Sequence, residues 1–136
     1  MNEDRRVCAS SALKALTERS QEPLSLSERQ TRIDFLNAAL DAVRSGKVAE
    51  SHWSDLLTAV DVCRRVILAS RHDQAASQHI GQLLVEVRHA RNIGFASALR
   101  AEAIQEVMDL FVAIINNCPA PLFERCEMQA FTHGSK

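Results

Sequence analysis

The chain has 136 residues, of which 46% are hydrophobic and 24% charged, a length and balance that suit one domain with its own core and exclude wholesale disorder. With 16 Lys and Arg against 17 Asp and Glu, the net charge of -1 supplies no overall field for a polyanion, so nucleic-acid binding needs a local patch. Glycine occurs 4 times, proline 3 times and tyrosine not at all, while Ala, Leu, Arg, Glu and Gln abound, which is the composition of helices.

In chain order, a first amphipathic segment from Glu3 to Arg19 turns Val7, Leu13 and Leu16 inward, and Gln21-Glu22-Pro23 ends it. A capping box follows, Ser25 with Glu28 or Ser27 with Gln30, and opens a helix over about 27–44. In it Ile33, Leu36, Leu40 and Val43 recur at helical spacing, and Gly46 stands where a left-handed C-cap belongs. Ser51 is the expected cap of the next helix, which runs to about Ser70 with Trp53, Leu56, Leu57, Val60, Cys63 and Ile67 on one face.

A further helix, about Asp73 to Arg91, gathers Ala76, Ile80, Leu83, Leu84 and Val87, with Asn92 and Gly94 as stop signals. Gly81 inside it suggests a close helix crossing, the one packing gain that offsets the helix-weakening effect of glycine. From a Ser97 cap to about Asn117, a helix carries Ile104, Val107, Met108, Phe111, Ile114 and Ile115, and Pro119 closes it. Pro121 then begins a short last helix that buries Leu122, Phe123 and Cys126, and residues 132–136 form a flexible tail. No alternating strand and no fixed-period repeat is visible, and the links are short. The expectation is an all-α, single-domain, up-and-down bundle of five to six helices over residues 1–131.

Two helices are apolar over a wide arc. In the 97–117 segment, Leu110, Ile114, Val107, Phe111, Ile115, Ile104, Met108 and Val112 spread over roughly 200°, against the ~100° stripe that a surface helix needs. The 51–70 segment adds a second strip at Ala59, Val62 and Val66. Either these helices lie centrally or part of the arc, taken as Val62, Val66, Leu110 and Val112, is a surface for a homodimer or another protein.

Residues with chemical potential form no recognisable reaction centre. Cys8, Cys63, Cys118 and Cys126 include no C-x-x-C, and His52, His72, His79, His89 and His133 include no i, i+4 pair, so no metal and no cofactor is expected. Glu102, Glu106 and Asp109 share a helix face that reads as a solvated acidic edge. No G-x-S-x-G elbow or glycine-rich phosphate loop occurs, and the expectation is a protein without enzymatic activity. Arg64, Arg65 and Arg71 near one helix end, and Arg88, Arg91 and Arg100 around the next turn, make a candidate phosphate-facing patch, of which Arg64, Arg65, Arg88 and Arg91 are the core. The start of the chain has no apolar signal segment, and the longest apolar run, Leu110 to Ile115, is far short of the roughly 18 residues that span a bilayer, so the expected place is the cytoplasm, with reduced thiols and no membrane.

The segment from Ala38 to Leu68, with an amphipathic helix ending at Gly46 and then Trp53, Leu56, Ala59 and Val62, resembles short helical proteins of unassigned activity encoded in prophages and other mobile elements of proteobacteria. That set more often has an acidic residue before the tryptophan and an asparagine at the place of Asp61, where this chain has His52 and Asp61. The resemblance implies a non-enzymatic accessory factor or inhibitor that binds a host protein, in one form a defence machine. It transfers no catalytic residue. The alternative is a small nucleic-acid-associated regulator that uses the arginine patch.

Overall fold

The computed structural model describes residues 21–70 and 74–134. The helix expected over Glu3 to Arg19 lies outside the described residues, as do Cys8, Arg71, His72 and the side chain of His133. Among the described residues there are five α-helices, one short 3-10 turn and no strand, an all-α bundle as expected. None of the helices is long and apolar enough to cross a membrane.

Helix α1 spans Leu26–Ser45. Ser25 caps it: its Oγ accepts the Glu28 N–H at 3.2 Å and donates to Glu28 Oε1 at 2.8 Å. It stops at Gly46, whose φ of 80° is open to glycine at no steric cost and lets its N–H reach the Val43 carbonyl. Helix α2, Glu50–Ser70, begins two residues earlier than a Ser51 cap would set it, because Ser51 is not its cap. The Ala49 N–H is instead held by His52 Nδ1 at 2.9 Å, so a histidine at the third helical position fills the place a glutamate takes in a capping box.

Helix α3, Gln74–Ile93, ends in a Schellman motif: Gly94 adopts φ 67°, its N–H bonds Arg91 O, and the Phe95 N–H bonds Ala90 O. Gly81 does not serve a close crossing, since a Cβ there meets nothing within 4 Å. The next helix starts later than the Ser97 cap suggests. Residues Ala96–Ala98 form a 3-10 turn, and α4 covers Ala101–Asn117. The reason is apolar: Leu99 and Ile104, both 4% exposed, occupy the two positions of a hydrophobic staple around the N-cap Arg100. Helix α5, Ala120–Gly134, is longer than the short final helix expected and carries helical backbone past 132 into what was expected to be tail. The Ala120 N–H bonds Glu22 O at 2.8 Å and ties its start to the strand of chain that leads into α1.

The core is centred on one helix. Helix α2 packs against α1, α3, α4 and α5, which is why nine of its residues, Val62 and Val66 among them, are buried and why its apolar arc is wide. Helices α2 and α3 run antiparallel, with Glu50 at the start of one paired to Arg91 at the end of the other at 2.5 Å. Helices α1 and α4 do the same, with Arg29 Nη1 donating to Asn116 Oδ1 at 2.9 Å. Trp53 lies buried at the first turn of α2, in the same cluster as Leu24, Leu36 and Leu99. Among the described residues no polar or charged one is buried, so the core is held by apolar burial, at about 1.5–3 kcal/mol per large side chain.

Candidate functional site

Two concavities flank α2, and they are built on opposite principles. The first is a groove of about 180 Å³ among α1, α2, α4 and α5. Its floor is apolar, formed by Leu36, Ala59, Val62 and Phe111. At one end Arg32 clasps Glu127 in a two-pronged ion pair, Nε to Oε2 at 2.7 Å and Nη2 to Oε1 at 3.0 Å, and the guanidinium carbon lies 6.0 Å from the centre of the Phe123 ring. Phe123 meets Phe111 edge to face with 6.1 Å between centroids, which fixes the neighbouring wall. The hydrogen bonds from Arg32 to the Glu127 carboxylate raise the guanidinium pKa further.

One turn beyond each member of that clasp stands a phenylalanine: Phe35 on α1, 63% exposed, and Phe131 on α5, 72% exposed. Helix geometry explains the placement. Phe35 lies off the Ile33, Leu36, Leu40 stripe, and Phe131 follows the buried Ala130 by one residue, so neither can turn into the core. Asp55 of α2 also lines the groove and makes no ion pair or hydrogen bond among the described residues. Partial burial pushes its carboxyl above the usual range, a rise only partly offset by nearby His52. Sequence patterns missed this groove because its walls meet across 95 positions of chain, from Arg32 to Glu127; the one available signal was an isolated aromatic, Phe35, on the polar side of a helix.

The second concavity, of about 440 Å³, lies between α2 and α3 and is closed by Ala130 of α5. It brings together all four arginines singled out from the sequence: Arg64 and Arg65 from α2, Arg88 and Arg91 from α3. The antiparallel pairing sets the first turns of α2 beside the last turns of α3, so Arg88 and Arg91 line one end of the recess and Arg64 and Arg65 the other. Arg65 Nε is neutralised by Asp61 Oδ2 at 2.9 Å, and Arg91 by Glu50. Arg64 and Arg88 make no ion pair among the described residues. Beneath the charges lie Leu57 and Leu84. Arg100 stays outside, bound to Glu86 at 3.0 Å.

The other candidates are placed differently. Of the surface residues Val62, Val66, Leu110 and Val112, the first two are buried, Val62 as floor of the groove, and the last two are half-buried. Leu110 lines two further cavities, of about 300 Å³ and 380 Å³, the first with Val66, Ile67 and Ile114. In the acidic row, Glu106 Oε2 meets His79 Nε2 at 3.0 Å and Asp109 accepts from Gln105, so two of its three carboxylates have local partners. Cys63, Cys118 and Cys126 are free and buried; burial pushes all three thiols up, Cys118 to about 11, which keeps them protonated and unreactive. Among the described residues no three His, Cys, Asp or Glu side chains are grouped to hold a metal ion.

The described residues form a small all-α bundle with these two concavities on either side of α2. No family model, curated protein or solved structure matches the chain.

Proposed function

We propose that this protein is a non-enzymatic binding module that takes a segment of another protein in the groove between Phe35 and Phe131. The observation that carries this is the pair of exposed phenylalanines flanking an apolar floor. Leaving such side chains in water is unfavourable by about 25 cal/mol per Å² of apolar surface, and a partner that covers them recovers that energy. A volume of about 180 Å³ suits large side chains and is below the range of cofactor pockets, roughly 300–1,000 Å³. Asp55 sets the chemistry of the occupant: a segment that presents a bulky apolar residue next to Lys or Arg, so that the half-buried carboxylate gains its missing counter-charge. On the resemblance of residues 38–68 to mobile-element proteins, that segment belongs to a host protein and the role is accessory or inhibitory.

The alternative, a regulator bound to nucleic acid through its arginines, has the convergence of Arg64, Arg65, Arg88 and Arg91 in its favour. Against it, two of the four are already neutralised, and the four wall a concavity rather than a stripe that could track a duplex.

The test is capture from host lysate, treated with nuclease, by the parent and by Phe35→Ala/Phe131→Ala. The expected result is a partner held by the parent and lost by the double variant, about 30-fold or more weaker, while circular dichroism stays unchanged. Equal capture by both overturns the proposal, as does capture that disappears on nuclease treatment. A parent that sediments as a dimer and a variant that sediments as a monomer gives the groove to a second copy and also overturns it.

A further inference from the structure

The arginine concavity has a property that protein binding at the phenylalanine groove leaves unused. Guanidiniums repel one another, and an apolar-floored recess screens that repulsion less than open water does. Arg65 and Arg91 each have an internal carboxylate, but Arg64 and Arg88, one on each facing helix, have none among the described residues. Summed over the recess and its paired carboxylates, four arginines stand against Asp61 and Glu50, an excess of two positive charges. Arginine presents its donors as a planar fork, and one carboxylate occupies one fork. Two forks reaching in from different helices are matched instead by a tetrahedral group with three charged oxygens. The floor of Leu57 and Leu84 and the neighbouring Thr58 and Asn92 give room and a surface for the rest of a small ligand, and about 440 Å³ is within the range of small-molecule sites.

We propose that the recess walled by Arg64, Arg65, Arg88 and Arg91 binds a compact phosphorylated ligand, with the phosphate between Arg64 and Arg88 and the less polar body on Leu57 and Leu84. The site stands on charges and volume separate from the groove, so either can fail without the other. A concave recess favours a terminal or free phosphate over the repeating backbone of a duplex, which needs an extended run of positive charge.

The experiment is calorimetric titration of the full chain at low salt with phenyl phosphate, inorganic pyrophosphate and a short DNA duplex, repeated on Arg64→Ala/Arg88→Ala and on Arg44→Ala, whose arginine pairs with Asp41 away from the recess. The expected result is saturable one-to-one binding of the two small phosphates, weakened about tenfold or more in the double variant and unchanged in Arg44→Ala. Absence of saturable binding at several millimolar overturns the proposal. Equal binding by the double variant overturns it too, and so does duplex binding that needs Arg64 and Arg88 without any small-phosphate binding.

Discussion

The two flanks of α2 leave opposite things uncovered. On the α1 and α5 side, charge is neutralised internally by the Arg32 and Glu127 clasp, and aromatic surface is left open at Phe35 and Phe131. On the α3 side, apolar surface is covered, with Leu57 8% and Leu84 3% exposed, and charge is left open at Arg64 and Arg88. Thr58 lines both concavities, so one helical turn separates a surface that gains by excluding water from one that gains by meeting an anion. Both rest on the same central helix, and its core face decides whether either exists.

The largest effect therefore comes from α2 itself. Val62→Asp places an unpaired charge at a residue 2% exposed that is at once core and groove floor. The expected loss is about 3–5 kcal/mol, enough to unfold the domain and abolish both sites together. Denaturant unfolding and circular dichroism check it. A folded variant that loses only one binding activity would show that the two flanks do not share a core.

Breaking the clasp is the next largest effect and acts on one flank. Glu127→Ala leaves Arg32 without its carboxylate, and since the pair is about a third exposed the expected cost is about 1 kcal/mol, with the thermal midpoint lowered by a few degrees. Partner capture falls because the rims carrying Phe35 and Phe131 are no longer tied, while binding of small phosphates at the other flank stays at the parent level. Loss of both would mean that the recess depends on α5 for more than Ala130.

Asp55 sharpens the contrast through pH. Its folded pKa is raised by burial, so between the ordinary carboxyl pKa and the raised one the folded state holds more proton than the unfolded. Stability supplied by that protonation is present at low pH and lost as pH rises through this window, leaving a small penalty at neutral pH. Asp55→Asn removes the penalty: it raises neutral-pH stability by less than about 1 kcal/mol, screened as the group is, and has no effect once pH is below the carboxyl range. The same variant weakens capture of the basic segment, so stability and binding move in opposite directions. Stability that falls at neutral pH would mean that Asp55 has a partner in the fold.

The degree to which these features were legible in sequence follows the length of chain each depends on. The start and end of α1, set by Ser25, Glu28 and Gly46, are local and were readable. The arginine recess was readable as a cluster because its members sit on two consecutive helices joined by a short link, although their convergence on one cavity needed the fold. The capping rule at Ser97 sets the start of α4 three residues early, whereas Leu99 and Ile104 satisfy a tertiary rule, and burial prevails. The wide apolar arc of α2 left a centre and an interface equally open, and the choice needed the four helices that cover it. Phe35 and Phe131 are not legible in sequence, because an aromatic off the core stripe has no meaning until α1 and α5 are set side by side.

The smallest effect distinguishes paired from unpaired charge within the recess. Arg65→Ala removes the partner of Asp61, whose side chain is 16% exposed, and leaves a half-buried carboxylate without its cation. The expected cost is about 1 kcal/mol, as for a partly screened pair. Arg88→Ala removes a guanidinium that has no carboxylate among the described residues and sits near three of like charge. Nothing favourable is broken, repulsion is relieved, and the expected change is a gain of a few tenths of a kcal/mol, larger at low ionic strength because the Debye length grows from about 8 Å at physiological salt. Adding pyrophosphate should reverse the order of the parent and Arg88→Ala in thermal stability, since an anion that binds only the intact recess stabilises only the parent. Melting curves of both proteins, with and without pyrophosphate at two salt concentrations, measure this. If Arg88→Ala costs as much as Arg65→Ala under all four conditions, Arg88 is a structural residue of α3 and the charge on that flank is not held in reserve for a ligand.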